Sequence, residues 1–280
     1  AGRSTTGGES KLKRSALYVL LLLGCGTTLL PFLWMISTSL KSGAEAFAIP
    51  MTFVPAAPRW GNYAEVAREI PLVRYVVNSV VVTVCVTIGT LLTTIMGAFA
   101  FSRLHFRGRD LLFALCVGTM IVPEEALLIA NYVTLSRMGL VNSYTALILP
   151  WTVSAFSVFL LRQYFLTIPE SLYNAARADG CSDLRFLFQI MVPAAKPALV
   201  TIGLLRVINS WNEFLWPLIV THRPEMRTLP VALSVFTNEA GIRYHLLMAT
   251  ATIIILPVIA LYLLLQKHLL RTLSGSGLKG

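Results

Sequence analysis

The sequence predicts an all-α protein that crosses the membrane several times, and three observations lead to this fold class. Hydrophobic residues make up 56% of the 280 residues, charged residues only 13%, and the mean hydropathy is +0.72. A soluble globular domain carries about 25% charged residues. Long apolar runs recur along the chain, with most basic residues between them. These features exclude a soluble enzyme, a disordered regulator and a nucleic-acid-binding domain.

Six apolar segments are long enough for membrane-spanning helices, which need about 20 residues each. The third segment is interrupted by Glu124 and Glu125, and the fifth by Arg206 and Glu213. The six predicted spans are Ser15–Leu40, Tyr75–Ser102, Leu111–Leu135, Met138–Leu161, Ala198–Val220 and Tyr244–Gln266.

The first span has features of a secretory signal peptide, because basic residues precede it and Ala44-Glu45-Ala46 resembles a cleavage site. Its apolar run is longer than the 7–15 residues typical of such segments, and five more spans follow. We therefore expect an uncleaved first helix.

The positions of the basic residues predict the orientation. Six spans place both termini on one side, and that side carries 14 Lys and Arg residues against 8 on the other. Because basic loops stay in the cytoplasm, both termini are predicted to be cytoplasmic. The predicted organisation is a tail at 1–14, a membrane domain at 15–272 with a long cytoplasmic segment at 163–197, and a tail at 273–280.

The cytoplasmic segment 163–197 contains signals for two short helices. The first is predicted at Pro169–Asp179, because Pro suits the first helical position and Gly180 suits the position just past the end. The second begins near Ser182, a good N-cap, and stops before Pro193. A helix pair of this kind is either a docking surface for a cytoplasmic protein or an ordinary structured loop.

The same segment carries a motif of defined spacing. Its residues are, in order, Asn174, Ala175, Ala176, Gly180, Ile190, Val192 and Pro193. They resemble the EAA loop of ABC-transporter permeases: Glu-Ala-Ala, three residues, Gly, nine residues, Ile, any residue, Leu-Pro. Every spacing agrees. Asn174 in place of Glu removes a charge, so any ion pair made there by the family is in doubt, whereas Val192 in place of Leu keeps an apolar side chain.

Further motifs narrow the resemblance to carbohydrate importers. They are Ser210–Leu218, Thr228–Val231, Asn78-Ser79, Gly139-Leu140, Asn142–Tyr144 and Gly277–Gly280. From Tyr18 onward, the chain is similar to the MalG-type permease of bacterial sugar importers. The resemblance implies a type I ABC importer permease fold with a cytoplasmic coupling helix, in the bacterial inner membrane.

The resemblance also implies the partners. In that family, a second homologous permease completes the translocation path, a cytoplasmic ATPase dimer drives it, and an extracytoplasmic binding protein delivers the solute. The subunit is non-catalytic and binds no cofactor, and ATP and Mg²⁺ belong to the ATPase. This sequence indeed has no Gly-x-x-x-x-Gly-Lys-Ser/Thr phosphate loop. The implied coupling residues are Asn174, Ala175, Ala176, Asp179, Gly180, Ile190 and Pro193.

Polar residues in the apolar spans are candidates for the translocation path. A carboxylate at mid-membrane costs roughly 2.5–3.5 kcal/mol and therefore usually faces a cavity or a partner. Either one of Glu124 and Glu125 lines the path, or they form a structural pair with Arg206. Adjacent helical residues point about 100° apart, so both are not expected to face one pore.

The fifth span carries a second group of candidates. Arg206 and Glu213 lie roughly 10 Å apart on one helical face, so each is expected to have a different partner. Polar groups and aromatic faces commonly hold sugars, and the alternative is packing against the second permease. The candidate path residues are Glu124, Glu125, Asn131, Arg206, Asn209, Trp211, Asn212, Glu213 and Trp216.

Other functions fit less well. A glycerophosphodiester or polyol is the alternative solute. A secondary transporter would use Glu124 or Glu125 as a proton relay, but no inverted repeat is visible. An intramembrane protease would need a nucleophile and a base on facing spans, and no His lies near a span centre. The four cysteines lack metal-ligand spacing, and neither a metal site nor a disulfide is expected.

Overall fold

The computed structural model describes residues 6–238 and 241–275. The outer parts of both predicted tails, and with them the Gly277–Gly280 motif, lie outside the described residues. The chain divides into two compact units. The first comprises the residues up to Ile70 together with Leu233–Leu256, and the second comprises Pro71–Ala232 and the residues from Pro257 onward.

The first unit contains a long N-terminal helix, two short helices and a small hairpin. Its helices are α1 (Thr6–Ser39), α2 (Gly43–Ala46) and α3 (Gly61–Glu69). The hairpin pairs β1 (Thr237–Asn238) antiparallel with β2 (Gly241–Ile242). This hairpin is the only strand pair in the described part of a chain that the sequence predicts to be all helical. The last helix, α14 (Tyr244–Gly275), begins in this unit.

The second unit is helical throughout its described residues. Its α-helices before α14 are α4 (Leu72–Arg103), α5 (Arg109–Gly118), α6 (Leu128–Arg137), α7 (Tyr144–Ile148), α8 (Ala155–Leu166), α9 (Glu170–Ala178), α10 (Asp183–Phe186), α11 (Val192–Ala194), α12 (Lys196–Asn212) and α13 (Leu215–Val220). Its 3₁₀ segments lie at Thr119–Ile121, Glu124–Leu127, Leu149–Trp151 and Pro224–Met226, and another begins at Leu229. A π-helical turn occupies Leu187–Met191.

The helical, membrane-spanning fold class is confirmed, but only three predicted spans are single helices. Leu17–Ser39, Leu72–Arg103 and Tyr244–Leu264 are each long and apolar enough to cross a membrane. Three more candidates are bent pairs: Arg109–Ile121 with Glu124–Arg137 at 93°, Tyr144–Trp151 with Ala155–Leu166 at 43°, and Asp183–Ala194 with Lys196–Asn212 at 80°. The described residues therefore hold six spans if each bent pair counts as one.

Continuous helices over Leu111–Leu135, Met138–Leu161 and Ala198–Val220 are therefore wrong predictions. Each segment contains a proline near its break: Pro123, Pro150 and Pro217. Proline lacks the N–H that would bond the carbonyl four residues earlier, which interrupts the helix. In the last case that carbonyl belongs to Glu213, and α12 ends one residue before it. Sequence hydropathy measures the length of an apolar run, but it does not show whether the helix bends within that run.

The second unit has two apolar clusters. One is built where α4, α8 and the 170–195 region meet, and its largest buried side chains include Phe165, Phe186 and Met191. The other surrounds Trp216 and includes Leu147. Between these clusters the chain breaks at Thr152–Ser154 and the surroundings become polar, which creates the first candidate site.

Candidate functional site

Two adjoining polar cavities lie beside the helix breaks of the second unit, each with a volume of about 360 Å³. They share one wall, which consists of Glu124, Trp151, Ser154, Phe156 and Arg206. Backbone that leaves a helix inside a membrane is tolerated where it lines a cavity. The breaks and the cavities therefore belong together.

The structure brings six of the nine predicted path residues to these cavities. Asn131 lines the first cavity, and Asn209, Asn212 and Glu213 line the second. Glu124 and Arg206 border both. The walls thus combine amide, carboxylate and guanidinium groups with one face of an indole, a set that binds hydroxyl-rich molecules by hydrogen bonds and stacking.

The side chain of Arg206 is held by a backbone carbonyl at the chain break. Its Nη2 donates to the carbonyl oxygen of Trp151 at 2.6 Å, and its guanidinium lies 5.7 Å from the centre of the Trp151 ring. Thr90 donates to the same carbonyl at 2.9 Å, and Thr93 to that of Thr152 at 2.6 Å. These bonds satisfy carbonyls released by the break. The Nε of Arg206 has no hydrogen-bond partner among the described residues.

The carboxylates near Arg206 do not pair with it. No ion pair within 4.0 Å joins Arg206 to an acidic side chain in the described part of the chain. Glu213 instead accepts a hydrogen bond from the backbone N–H of Trp216 at 3.1 Å. Glu124 lies on the cavity wall, whereas its neighbour Glu125 lines neither cavity. The structural pair considered as an alternative is absent from this arrangement.

Trp211 and Trp216 do not line the polar cavities, so the structure does not bring them together with the six candidate path residues there. Trp216 is fully buried and donates its Nε1–H to the carbonyl of Ala146 at 2.9 Å. Trp211 lines a separate apolar cavity of about 210 Å³ together with Val80 and Pro257. The aromatic side chains that do reach the polar cavities are Trp151 and Phe156, neither of which is among the predicted path residues.

The coupling segment ends its first helix as predicted from the sequence. Gly180 has a φ of +78°, which confirms the expected left-handed position. Cys181 N–H bonds to the Ala176 carbonyl at 2.9 Å and Gly180 N–H to the Arg177 carbonyl at 3.0 Å. These two bonds form a Schellman motif. Pro169 precedes the helix as its cap and does not occupy its first position.

Helix α9 is fixed to the protein through Tyr173. This side chain is 5% exposed and its ring lies 5.1 Å from that of Phe186. Its hydroxyl donates to Asp183 at 2.8 Å, and Arg177 lies 3.9 Å from the same carboxylate. Burial raises the pKa of Tyr173, and the hydrogen bond to Asp183 raises this pKa further, so the hydroxyl stays protonated and donates.

The predicted coupling residues fall into two groups. Asn174, Ala175, Asp179, Gly180 and Pro193 are exposed. Ala176 and Ile190 are partly buried and pack against the core, so their direct role is structural.

Several exposed apolar side chains on the same segment were not predicted as site residues, among them Leu172 and Leu184. Leu172 is 44% exposed and Leu184 is 56% exposed. Single-residue hydrophobicity does not distinguish them from the buried residues Tyr173 and Phe186. Their exposure follows from which face of each short helix packs on the core.

The sequence predicts that the second helix of the segment stops before Pro193, and this prediction is wrong. Ser182 does cap it, since its hydroxyl accepts a hydrogen bond from the N–H of Arg185. It then passes through the π-helical turn and continues to Ala194, with Pro193 inside the last turn. The chain bends by 80° only at Ala195, between Pro193 and Pro197.

Arg103 connects the coupling segment to the end of α4. It is 5% exposed, and its Nη2 donates to the carbonyls of Phe165 and Ile168. These carbonyls lie at the last turn of α8 and just before α9. Arg103 therefore links the end of α4 to the end of α8 and to the residues that lead into α9. A basic residue at the end of a span is also expected as a topology signal, so the sequence did not reveal that Arg103 connects these helices.

No group of three or more His, Cys, Asp and Glu residues that could hold a metal ion occurs in the part of the chain that was described. The four cysteines are free.

Apolar helices that span a membrane, polar cavities at their breaks and an exposed helix pair between two spans together define a multi-pass membrane permease. The chain belongs to the family of binding-protein-dependent transport system inner membrane components, whose model matches residues 89–275. It is thus a permease subunit of the ABC-importer type, as the EAA-like loop indicated.

Curated relatives span nearly the full chain. The sulfoquinovosyl glycerol transport system permease protein SmoH of Agrobacterium fabrum is 35% identical, with 90% of this chain and 89% of that protein covered. The arabinooligosaccharides transport system permease protein AraQ of Bacillus subtilis is 34% identical over 90% of this chain and 91% of its own. The sn-glycerol-3-phosphate permease UgpE of Pectobacterium atrosepticum is 29% identical over 92% and 95%.

A solved structure supports the fold. A chain of a bacterial ABC transporter involved in the import of the acidic polysaccharide alginate matches with a TM-score of 0.80 and 27% identity. The match covers 95% of this chain and 99% of that one.

Proposed function

We propose that this chain forms half of the translocation path of an ATP-driven importer for a sugar or oligosaccharide. Three of the proteins above are named for the transport of sulfoquinovosyl glycerol, of arabinooligosaccharides and of alginate. A second homologous permease forms the other half, an extracytoplasmic binding protein delivers the solute, and both termini are cytoplasmic.

The pair of polar cavities carries this proposal. Glu124, Asn209 and Asn212 offer hydrogen-bonding groups to hydroxyls, and Trp151 offers an aromatic wall. The surrounding helices are apolar, and polar groups that converge inside a membrane domain commonly mark a solute pathway. In our proposal, a sugar passes along this wall and exchanges water for these hydrogen bonds.

The coupling surface completes the proposal. The exposed face of α9, with Asn174, Ala175 and Asp179, docks on a cytoplasmic ATPase dimer that binds ATP and Mg²⁺. Leu172 and Leu184 supply apolar contacts at its edge. Arg103 then transmits the movement of α9 to the ends of α4 and α8.

The first experiment is a purification of the tagged chain from native membranes in mild detergent, with every co-purifying protein identified. We expect an ATPase, a second permease and a solute-binding protein. Reconstituted in vesicles, this complex should import an oligosaccharide only with ATP and the binding protein. Recovery of the chain alone, active without ATP, would refute the proposal and favour a secondary transporter.

Adjacent glutamates provide a matched test of the cavity. Loss of a charge-assisted hydrogen bond costs about 1.5–3 kcal/mol, so Glu124→Gln should raise the KM for uptake roughly tenfold or more. Glu125→Gln makes the same chemical change one residue away, outside the cavities, and should leave the KM close to that of the unmodified protein. Equal effects of the two variants would argue against the cavity as the path.

A glycerol phosphate or polyol is the second candidate, because UgpE is a relative and Arg206 reaches the cavity with an unbonded Nε. An anionic solute would use this cation. Arg206→Gln should then abolish uptake of sn-glycerol-3-phosphate while a neutral oligosaccharide is still transported. Equal loss for both solutes would indicate only the structural role of Arg206 at the Trp151 carbonyl.

A further inference from the structure

The 47–60 segment, which follows the first span, has an unusual distribution of polarity. Only one of its 14 residues, Arg59, is charged, and three are prolines. Its large apolar side chains point outward: Ile49 is 93% exposed, and Met51 and Val54 are each 73% exposed. The others in this exposed set are Phe47, Phe53 and Trp60. A soluble loop would show the opposite arrangement.

Several polar groups of this segment are hydrogen-bonded on its inner side. Lys41 is 1% exposed and donates to the carbonyl of Thr52. The hydroxyl of Ser37 donates to the carbonyl of Phe53, and Glu45 accepts the N–H of Ala56 at 2.8 Å. The prolines have no N–H to satisfy. Each of these hydrogen bonds lowers the cost of placing this backbone beside lipid.

The segment also reaches back to the level of the span itself. The ring of Phe53 lies 5.8 Å from that of Trp34, and the Lys41 ammonium lies 4.3 Å from the centre of the same indole. Trp34 is five residues before the end of α1, or about 7.5 Å along its axis. Met51 and Phe53 therefore lie at the depth of the last turns of a membrane-spanning helix.

From this geometry we infer that the 47–60 segment is a lipid-contacting element, inserted in the membrane interface around the end of the first span. Interfacial segments bury their apolar side about 5–10 Å into the boundary between headgroups and acyl chains, which matches the depth set by Trp34. Trp60 suits the aromatic belt at the interface. The buried ammonium of Lys41 lies over the Trp34 indole and donates to the Thr52 carbonyl, so a cation–π contact and a hydrogen bond compensate its charge within the protein.

An uncharged surface that continues a membrane span favours lipid as the occupant, and coverage by a protein partner is an outcome of the test below. Residues of the apolar window in Leu17–Ser39 are not buried against other described residues. Its last turns expose Phe32, Leu33 and Ile36, and the side chains of the 47–60 segment extend this uncharged surface at the same depth. The inference is independent of the transported solute and of the coupling surface.

The test measures which phase surrounds the segment. The four native cysteines are replaced by alanine, and a nitroxide is attached at Ile49→Cys or Met51→Cys in the assembled transporter in lipid nanodiscs. The control label is at Arg68→Cys, an exposed position on α3. Collision with lipid-soluble oxygen is compared with collision with a water-soluble nickel complex.

We expect the ratio of oxygen to nickel collisions at positions 49 and 51 to exceed that at position 68 several-fold. An equal ratio would show that the segment is in water, and protection from both reagents would show that a protein covers it; either result overturns the inference. If a labelled variant fails to assemble, brominated lipid provides a second measurement. It should quench the unmodified protein more than Trp60→Phe, and equal quenching would also overturn the inference.

Discussion

Gly180 acts through its backbone conformation and not through packing. No atom lies within 4 Å of the position that a Cβ would occupy, so the space is open. The φ of +78° is the constraint, because an L-residue in this region costs roughly 1–2 kcal/mol. Any residue that leaves this region breaks the two hydrogen bonds that close α9.

We predict that Gly180→Val uncouples ATP hydrolysis from transport, because a β-branched residue disfavours the left-handed conformation most strongly and α9 would lose its end. Membrane insertion should be unaffected. The measurement is ATPase activity and uptake in the same vesicles. Gly180→Asn is the control, since Asn tolerates this conformation, and it should retain most of the uptake. Normal coupling in the valine variant would contradict the prediction.

Glu69 and Arg243 form a bidentate ion pair in the first unit. The hydrogen bonds from Arg243 lower the pKa of Glu69, against a smaller opposing effect of burial. A lowered folded-state pKa means that the pair stabilises the fold fully above the ordinary Glu pKa, about 4.3. This contribution is lost as the pH falls through the lower, folded-state pKa.

We predict that Glu69→Gln lowers stability at pH 7 by about 0.2–1 kcal/mol, the range for partly exposed pairs. The difference from the unmodified protein should shrink as the pH is lowered below the ordinary Glu pKa. Thermal unfolding of the solubilised protein at neutral and acidic pH measures both effects. Glu125→Gln makes the same chemical change at an exposed carboxylate without an ion pair to Arg243 and serves as the control. A pH-independent difference would assign the effect to packing.

At the scale of elements, the crossing of α4 with the break at Thr152–Ser154 is tightly constrained. A Cβ on Gly89 would lie 2.8 Å from Cγ2 and 3.2 Å from Cβ of Thr152. By contrast, a Cβ on Gly203 of α12 would meet only Leu91 Cδ1, at 3.6 Å. Close approach at Gly89 allows Thr90 and Thr93 to reach the carbonyls of the break.

We predict opposite effects for two Gly→Ala substitutions. Alanine gains about 0.5–1 kcal/mol in helix propensity, so Gly203→Ala should stabilise slightly. Overpacking costs about 1–3 kcal/mol, so Gly89→Ala should lower the thermal stability of the solubilised transporter. Adding Thr152→Ser removes the clashing methyl group and should restore much of the loss. Failure of this rescue would show that the contact does not set the stability.

The sequence predicted the caps of the coupling helices, but it did not predict where the second of these helices ends. The caps at Ser182 and Gly180 follow from local chemistry, and both are confirmed. The continuation of the second coupling helix through Pro193 was missed, because the π-helical turn before it depends on the packing of Leu187 and Met191 in the core. Local signals do not contain that packing.

At the scale of the whole molecule, orientation remains a proposal that rests on the distribution of basic residues. We predict that Glu65→Cys, in a chain without native cysteines, reacts with a membrane-impermeant thiol reagent in intact cells with a permeable outer layer. Ala178→Cys should react only after the membrane is opened, because α9 is cytoplasmic in this topology. The reverse pattern would show that the protein has the opposite orientation, with the coupling surface outside the cell.

The candidate site shows the same division between sequence and structure. The charged and amide residues at the cavity were recognised as costly in a membrane, and this reasoning needs no coordinates. Which of them converge was not predictable: Glu124 lines the cavities and Glu125 does not, and Trp151 takes the place expected for Trp211 and Trp216. Each depends on the direction that the chain takes after a proline.

The sequence alone determined the membrane class, the number of apolar segments, the family motif and the caps of the coupling helix. These depend on composition and on interactions within a few residues, which are present in any local stretch of chain. The tertiary structure decided where the spans bend, which polar residues share a cavity, and that the 47–60 segment turns its apolar side chains outward. These depend on contacts between distant segments, in which buried carbonyls must find donors such as Arg206, Thr90 and Lys41.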